Sequence, residues 1–254
     1  TYGVTNMELT SAYASIANGG TYQKPVLYTK VVDHNGNILL SNTQKGKRVM
    51  KESTAFLLTD AMKDVITKGT GKSAKLSSSM AVAGKSGTTS NSYDYWFSGY
   101  TPYHTASVWM GYDKNTNFAS DNTHKKIWAK VMNEIIKTKQ EQTTDFKKPA
   151  DIVKAKVCKE SGKLAIKEVC DHDPRGSRVI TEYFEKGTVP TQTCDIHVAV
   201  EVCKTSDKLA TKNCPANKKQ RKIYIVRKKG SHGKTADTPY MLPKKYQSVF
   251  CKKH

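Results

Sequence analysis

The sequence predicts an α+β fold, an antiparallel sheet backed by helices, followed by a small β-rich extension that contains cysteines. Helical and strand-like apolar patterns alternate through the first part of the chain, and all six cysteines lie between Cys158 and Cys251. This uneven distribution favours two modules. Changes of composition give the expected boundaries: a first domain over residues 1–139, a polar linker over 140–150, a cysteine-repeat extension over 151–215 and a basic tail over 216–254.

Spacing and turn residues predict the elements of the first domain. Apolar residues recur at near-helical spacing over residues 6–18, which predicts a helix. Residues 25–40 predict a hairpin with its turn at Asn35-Gly36, a pair that favours tight turns. Ser53 is the expected N-cap of the strongest helix. The remaining predictions are this helix over 53–68, strands over 80–89, 95–100 and 105–112, and a helix over 124–137.

The chain is strongly basic, because 42 lysines and arginines against 22 acidic residues give a formal net charge of +20. The basic residues concentrate between Lys218 and His254, where Asp237 is the one acid. This balance favours anionic partners, which include nucleic acid, lipid headgroups and wall polymers. The sequence contains no apolar run of about 18 residues, so it predicts no transmembrane helix. The chain opens on Thr1 like the middle of a domain, so we expect a fragment or a processed product.

The strongest candidate for chemistry is the tetrapeptide Lys85-Ser86-Gly87-Thr88, which closes an apolar strand and is followed by Thr89. The four letters alone are a weak signal, since a surface turn of small residues would give the same string. Acyl transfer from a peptide needs a cation near the nucleophile, hydroxyls for the substrate carboxylate and backbone N–H groups for the oxyanion. Gly87 would let a substrate backbone lie against the strand.

The context of this tetrapeptide resembles the K-[ST]-G strand region of class A penicillin-binding proteins, whose motif set is S-x-x-K, S-x-N and K-T-G. The resemblance runs in register from about Tyr2 to Lys137. It rests on the strings GVTNMELTSAYASIANGGTYQKPVLYTKVVDHNGNIL, TAFLLTDAMKDVITKGTG and AVAGKSGTTSNSYDYWFSGYTPYHTASVWMGYD. Further along, VITEYFEKGTVPTQTCDIH and the repeated V-C-x-x-S-x-K-L-A resemble the extensions of clostridial-type members.

The resemblance implies a role for each residue of the strand. Lys85 would serve electrostatics and proton relay, and Ser86 and Thr88 would bind the terminal carboxylate of the donor peptide. The N–H of Thr88 would form half of the oxyanion hole, and Gly87 and Thr89 would complete the substrate-binding strand. The implied fold is part of the penicillin-binding, serine β-lactamase-like transpeptidase fold, and the implied reaction is the cross-linking of peptidoglycan stem peptides.

The same resemblance implies the partners and the location. The substrates would be stem peptides ending in D-Ala-D-Ala, β-lactams would acylate the same serine, and no cofactor is expected. The family's nucleophile and S-x-N motifs lie upstream of the strand, so they should precede Thr1. We therefore expect this chain to be inactive alone and to work with the upstream half of an extracytoplasmic protein, anchored to the plasma membrane by an N-terminal segment.

Two other matches to the motif set lie in the wrong chain order. Ser231 and Lys234 match S-x-x-K, and Ser120-Asp121-Asn122 matches S-D-N, but both follow the K-S-G-T strand. An S-x-x-K motif also needs a helix start to place serine and lysine one turn apart, whereas glycines flank the first match. We predict that neither match is catalytic.

The cysteines lie in an internal repeat, VCKESGKLAIKEVC over residues 157–170 and VCKTSDKLATKNC over 202–214, each preceded by a strand-like run. Repeated spacing favours the disulfides Cys158–Cys170 and Cys203–Cys214, with Cys194 and Cys251 left over. Reduced thiols are an open alternative. A metal site is another, built from Cys170 with His172 and Cys194 with His197. Because the spacing is not that of a standard zinc module, the sequence favours bridges over a metal.

Two functions from other classes compete with the enzyme hypothesis. The chain could be a non-catalytic module that binds anionic wall polymers through its basic tail and cysteine repeats. It could also bind nucleic acid, with Tyr224, Tyr240 and Tyr246 stacking on bases, but aromatic residues are sparse and no recognition motif is present. We therefore predict no nucleic-acid partner.

Overall fold

The computed structural model describes residues 3–227 and 235–253 and confirms a mixed α+β fold. The chain divides into two compact units, Thr1–Ile152 and Val153–His254, here called the N-terminal unit and the C-terminal unit. The helices and strands of the N-terminal unit are α1 (Asn6–Ala17), β1 (Thr21–Tyr22), β2 (Lys30–Val32), β3 (Ile38–Ser41), β4 (Lys47–Arg48), α2 (Glu52–Thr67), β5 (Ala83–Thr88), β6 (Asp94–Tyr100), β7 (Thr105–Gly111) and α3 (Thr123–Lys139).

A capping box explains the start of the first helix, and a glycine explains the turn of the first hairpin. The sequence predicts both elements correctly. Helix α1 begins at a capping box, in which Thr5 Oγ1 accepts from the Glu8 N–H at 3.2 Å and Glu8 Oε2 accepts from the Thr5 N–H at 2.8 Å. The hairpin of β2 and β3 turns at Gly36, whose positive φ of 86° suits a glycine.

The start of α2 differs from the prediction. Its N-cap is Lys51, which makes no side-chain capping hydrogen bond, and Ser53 lies inside the first turn of the helix. The Ser53 side chain is buried, and its hydroxyl has no hydrogen-bond partner among the described residues. The expected cap at Ser53 is therefore wrong by two residues, because tertiary burial of this serine outweighs its local capping preference.

The core of the N-terminal unit lies where α3 packs on the antiparallel sheet β5-β6-β7. The rings of Trp128 and Phe97 meet edge to face with their centroids 5.2 Å apart, and both side chains are fully buried. Trp128 Nε1 donates to the Ala106 carbonyl at 3.0 Å, so the one polar atom of the indole is satisfied. This packing holds the sheet, and with it β5, in a fixed position.

The predicted linker over residues 140–150 packs against the N-terminal unit. The Ala81 N–H donates to the Thr144 carbonyl at 3.1 Å, and Lys63 Nζ lies 2.8 Å from the Asp145 carboxylate. The Phe146 ring lies edge-on to Tyr100 at 5.4 Å. The segment has no regular strand or helix after Lys139, but these contacts make it part of the unit rather than an extended spacer.

The C-terminal unit is β-rich. Its strands and helix are β8 (Ile152–Cys158), β9 (Val179–Glu185), β10 (His197–Cys203), β11 (Lys208–Leu209), β12 (Lys219–Ile225) and α4 (Lys245–Ser248). Strands β8 and β9 pair in one sheet, and β11, β10 and β12 form another in that order. The runs that precede the two cysteine repeats are indeed strands, β8 and β10. Among the described residues, no helix combines the length and apolar character needed to cross a bilayer.

Part of the predicted basic tail over 216–254 is integrated into this unit. Strand β12 pairs antiparallel with β10 along its whole length, from Lys219 opposite Cys203 to Ile225 opposite His197. Cys251 is buried against Cys203 in a shared cluster. The described residues of this region are thus structural. The chain divides after Ile152, two residues beyond the expected end of the linker at 150, and the boundaries at 139 and 215 stay predictions.

Candidate active-site strand

The tetrapeptide K-S-G-T occupies the second half of β5, where the strand lies at the edge of its sheet. Among the described residues β5 pairs only with β6, with Lys85 opposite Ser98 and Thr88 opposite Tyr95. Lys85 and Thr88 are exposed, while the first residues of the strand are buried. An unpaired strand edge presents main-chain N–H and C=O groups to which an extended peptide can add.

The hydrogen-bond phase of β5 decides which groups face the open edge. The Thr89 N–H donates to the Asp94 carbonyl at 3.1 Å, so this pair is a hydrogen-bonded position of the ladder. Such positions alternate with non-bonded ones in an antiparallel pair. The main-chain groups of Ser86 and Thr88 therefore point away from β6. In agreement, Lys85 Nζ donates to the Ser86 carbonyl at 2.7 Å.

The end of the strand is anchored by Thr89, which ties the turn between β5 and β6. Its hydroxyl donates to Asp94 Oδ2 at 2.8 Å and accepts from the Asp94 N–H at 2.9 Å. Trp109 Nε1 donates to the other carboxylate oxygen of Asp94 at 2.9 Å. Thr89 thus has a visible role in holding the turn, whereas its expected contact with substrate stays a prediction.

The two glycines of β5 have different surroundings. A Cβ atom at Gly84 would lie 2.8 Å from the Phe97 ring and 2.9 Å from the Ser98 carbonyl oxygen, so packing inside the protein requires this glycine. At Gly87 the nearest atom would be the Trp96 Cβ at 3.4 Å, which is an ordinary contact. Nothing within the described structure therefore demands a glycine at 87, and the space beside it is open to a ligand.

Two residues that the sequence analysis did not single out, Thr70 and Lys125, lie beside the strand. The Thr70 hydroxyl, in the turn after α2, is 2.7 Å from the Ser86 hydroxyl. Lys125 Nζ donates to the Thr70 carbonyl at 2.8 Å and to Asn122 Oδ1 at 2.7 Å. Burial, and then the nearby charge of Lys85, lower the pKa of Lys125. Thr70 lies in the string TAFLLTDAMKDVITKGTG, which carries part of the family resemblance, but no pattern in the sequence assigns Thr70 a role beside the strand.

The S-D-N match over Ser120–Asn122 is the entry to helix α3. Asn122 is the residue before the helix, in a left-handed conformation with φ of 72°. Ser120 Oγ lies 3.2 Å from His124 Nδ1 one turn further on. These contacts give the segment a structural role at the helix end. The other match, Ser231 with Lys234, lies outside the described residues.

The six cysteines form two buried groups of three, one of which includes a histidine. The first contains Cys158, Cys170 and Cys194 with His197, and the second contains Cys203, Cys214 and Cys251. The expected partners are thus brought together, but the bridges Cys158–Cys170 and Cys203–Cys214 are not formed. His172, a possible metal ligand in the sequence analysis, is instead exposed beside Asp171, with Nδ1 and Oδ1 3.1 Å apart.

Comparison with known proteins agrees with the fold. The family described as penicillin binding protein transpeptidase domain matches residues 2–137, and the penicillin-binding protein 1A, C-terminal domain, matches residues 148–199. Penicillin-binding protein 1A of Clostridium botulinum (strain Langeland) is 35% identical over 247 residues, which is 95% of this chain and 29% of the relative. The chain therefore spans less than a third of the length of this curated relative.

Two solved structures are similar as well. Penicillin-binding protein 1A from Haemophilus influenzae, 24% identical, aligns with a TM-score of 0.59 over 75% of this chain and 33% of its own, and supports the fold alone. A penicillin-binding protein from Mycobacterium tuberculosis, 27% identical, aligns with a TM-score of 0.52 over 59% of this chain and 42% of its own. With more than half of its residues matched by the family model, the chain belongs to the penicillin-binding protein transpeptidase family.

Proposed function

We propose that this chain forms part of a longer D,D-transpeptidase that cross-links peptidoglycan stem peptides through a serine acyl-enzyme. Its contribution is strand β5, which forms one wall of the active site. The observation that carries the proposal is the open edge of β5, which carries the K-S-G-T motif of the family. A donor peptide ending in D-Ala-D-Ala would lie along this edge as an added strand, and a β-lactam would occupy the same place.

Each group of the wall has a task in this proposal. The outward N–H of Thr88 donates to the oxyanion of the tetrahedral intermediate, where a positioned donor is worth about 10²–10³ in rate. The hydroxyls of Ser86 and Thr88 bind the terminal carboxylate of the donor. Lys85 adds positive charge beside that carboxylate and relays a proton. The Thr70 hydroxyl holds Ser86 in position, which makes Thr70 a positioning residue.

The nucleophilic serine and the S-x-N motif come from residues outside this chain. The strand contributes hydroxyls, a cation and outward N–H groups, but a triad of nucleophile, base and oxyanion donors needs further elements. The 254-residue chain alone is therefore inactive. The longer protein acts on the cell wall outside the cytoplasm, and a membrane anchor upstream of this chain keeps it there.

Labelling with a fluorescent penicillin tests the proposal. The longer protein is expected to form a covalent adduct that survives denaturing electrophoresis, and the 254-residue chain is expected to form none. Mass spectrometry of the adduct should place the acyl group on a serine outside this chain. An adduct on Ser120 or Ser231 in the isolated chain would contradict the proposal, as would a longer protein that is folded but does not label.

A further inference from the structure

The two cysteine groups of the C-terminal unit are built like closed metal sites. In the first group the sulfur atoms and the His197 imidazole nitrogen all lie within 4.8 Å of one another. His197 Nδ1 is 3.4 Å from Cys158 Sγ and 3.3 Å from Cys194 Sγ. A zinc tetrahedron with Zn–S bonds of about 2.3 Å and a Zn–N bond of about 2.0 Å has sulfur–nitrogen edges of about 3.5 Å. The observed distances are close to that edge.

The orientation of His197 is set from its other side. Its Nε2 lies 2.6 Å from Asp173 Oδ2, and both side chains are buried. Asp173 Oδ2 also accepts from Arg175 Nη2 at 2.7 Å, and Oδ1 accepts from the Arg175 main-chain N–H at 2.7 Å, so this carboxylate is an acceptor. The Nε2–H therefore donates to Asp173, and the lone pair of Nδ1 faces the sulfurs. A carboxylate that fixes the tautomer and the ring of a histidine in this way is a usual companion of a zinc-bound imidazole.

Both copies of the repeat direct a main-chain N–H at the second cysteine of their group. The Ile166 N–H donates to Cys170 Sγ at 3.3 Å, and the Thr211 N–H donates to Cys214 Sγ at 3.3 Å. Ile166 and Thr211 occupy the same place in the repeat, two residues after the leucine of K-L-A. The two copies therefore hold their second cysteine in the same local geometry.

The second group repeats the order of ligands in the first. Cys203, Cys214 and Cys251 are each at most 5% exposed. In the sequence, Cys194-Asp-Ile-His197 and Cys251-Lys-Lys-His254 share the spacing C-x-x-H, and each follows the two cysteines of its own repeat. His254 lies outside the described residues, so the second group consists of three described cysteines.

Disulfides account for this arrangement less well. Each group contains three cysteines, so one bridge would leave one buried thiol. In the first group, a bridge would also not explain the orientation of His197. Cysteines also dominate the interior, since six of the eleven buried non-polar residues that the structure describes in the C-terminal unit are cysteines; the others are Val157, Val169, Val202, Ile225 and Tyr246. A domain with so few aliphatic core residues needs additional cross-links, and a bound metal ion would supply one.

We propose that the C-terminal unit binds a zinc ion as a structural element at Cys158, Cys170, Cys194 and His197. Three cysteine sulfurs and an imidazole in one buried group suit zinc better than magnesium or calcium, which prefer oxygen ligands. No position of this site is left for substrate, so its role is to stabilise the fold.

Metal analysis of the full 254-residue chain, purified under reducing conditions without chelators, tests the site. We expect at least one zinc ion per chain. When a chelator is added and the protein is denatured, the zinc should be released and the ligand thiols should become reactive. Cobalt substitution should give the visible bands of tetrahedral, thiolate-bound cobalt. A metal-free folded chain, or two mapped disulfides with one remaining thiol per group, would overturn the proposal.

Matched histidine variants separate the zinc site from general effects of mutation. H197A should reduce the zinc content by one ion per chain, whereas H172A, two residues from Cys170 but outside the group, should retain the full content. H197C restores four ligands and should retain zinc with stronger sulfur-to-cobalt absorption, even if H197A fails to fold. Equal zinc content in H197A and H172A would exclude the site.

Discussion

The two units of the chain fill their interiors with different chemistry. In the N-terminal unit the core is aromatic and aliphatic, with Trp128, Phe97 and Met132 fully buried between α3 and the sheet. In the C-terminal unit cysteines take that place. Polar groups differ as well: the main-chain groups of β5 face an open edge, whereas the Nδ1 of His197 faces sulfur atoms in a closed group. Exposed main-chain groups suit a substrate that binds and dissociates, whereas buried sulfur and imidazole ligands suit a metal ion that stays bound.

The largest expected effect comes from removing the charge of the open strand. Lys85→Met in the longer protein should lower the rate of acylation by a β-lactam by about 10²–10⁴, because positioned proton transfer is lost. Lys75→Met, at an exposed lysine elsewhere in the N-terminal unit, is the matched control and should leave the rate unchanged. Stopped-flow or gel-based acylation kinetics measure both. Equal losses in the two variants would assign the effect to overall charge.

An intermediate effect is expected in the closed site. Asp173→Asn should weaken zinc binding by about 10–100-fold, because the carboxylate that orients His197 is replaced by an amide. Competition with a coloured chelator measures the affinity. The acylation rate of the longer protein should stay unchanged, since the active-site strand belongs to the other unit. An unchanged zinc affinity in Asp173→Asn would show that Asp173 does not position His197.

Variants of the two glycines of β5 should have different effects, one on the stability of the protein and the other on its acylation. Gly84→Ala places a Cβ against Phe97 and the Ser98 carbonyl, and should lower the free energy of unfolding by about 1–3 kcal/mol. Gly87→Ala meets only an ordinary contact, so its thermal stability should be close to that of the wild type while acylation slows. Thermal melts and acylation kinetics on both variants test this. A destabilised Gly87→Ala with normal acylation would reverse the assignment.

The smallest effect is a dependence on pH. Burial, and then the charge of Lys125, lower the pKa of His124 from its ordinary 6.5, against the opposing attraction of Asp121. The unfolded state therefore binds this proton more tightly than the folded state. The free energy of unfolding should fall as the pH drops from 6.5 through the lower, folded pKa. Urea titrations should show a smaller pH slope for His124→Gln, and identical slopes would contradict this.

Local patterns were sufficient for most of the N-terminal fold. The helical spacing of α1 and the turn at Asn35-Gly36 are properties of neighbouring residues, so the sequence predicts both. The expected cap of α2 is wrong because Ser53 is a buried residue inside the first turn of the helix, and local capping preference does not predict burial. Strand β9 was not predicted, although the bend at Gly187 follows it closely. Its pairing with β8 is a long-range contact that no local pattern contains.

The residues of the two sites also differ in how far the local sequence reveals them. The K-S-G-T strand is contiguous, so its residues could be identified by sequence resemblance. Thr70 and Lys125 join the strand from separate elements, and no spacing connects them to Ser86. The cysteine repeat has a local period that favours bridges within each copy. The third cysteine of each group comes from a later segment, and only the three-dimensional fold brings Cys194 to Cys158.

The most direct test of the proposed active-site strand is a proline scan of two adjacent positions in the longer protein. At Thr88 the N–H points to the open edge, so Thr88→Pro should keep the sheet and lower β-lactam acylation by about 10²–10³ through loss of one oxyanion donor. At Gly87 the N–H belongs to the ladder with β6, so Gly87→Pro should disrupt the strand and lower thermal stability. A folded Thr88→Pro protein that is acylated at the wild-type rate would contradict the account.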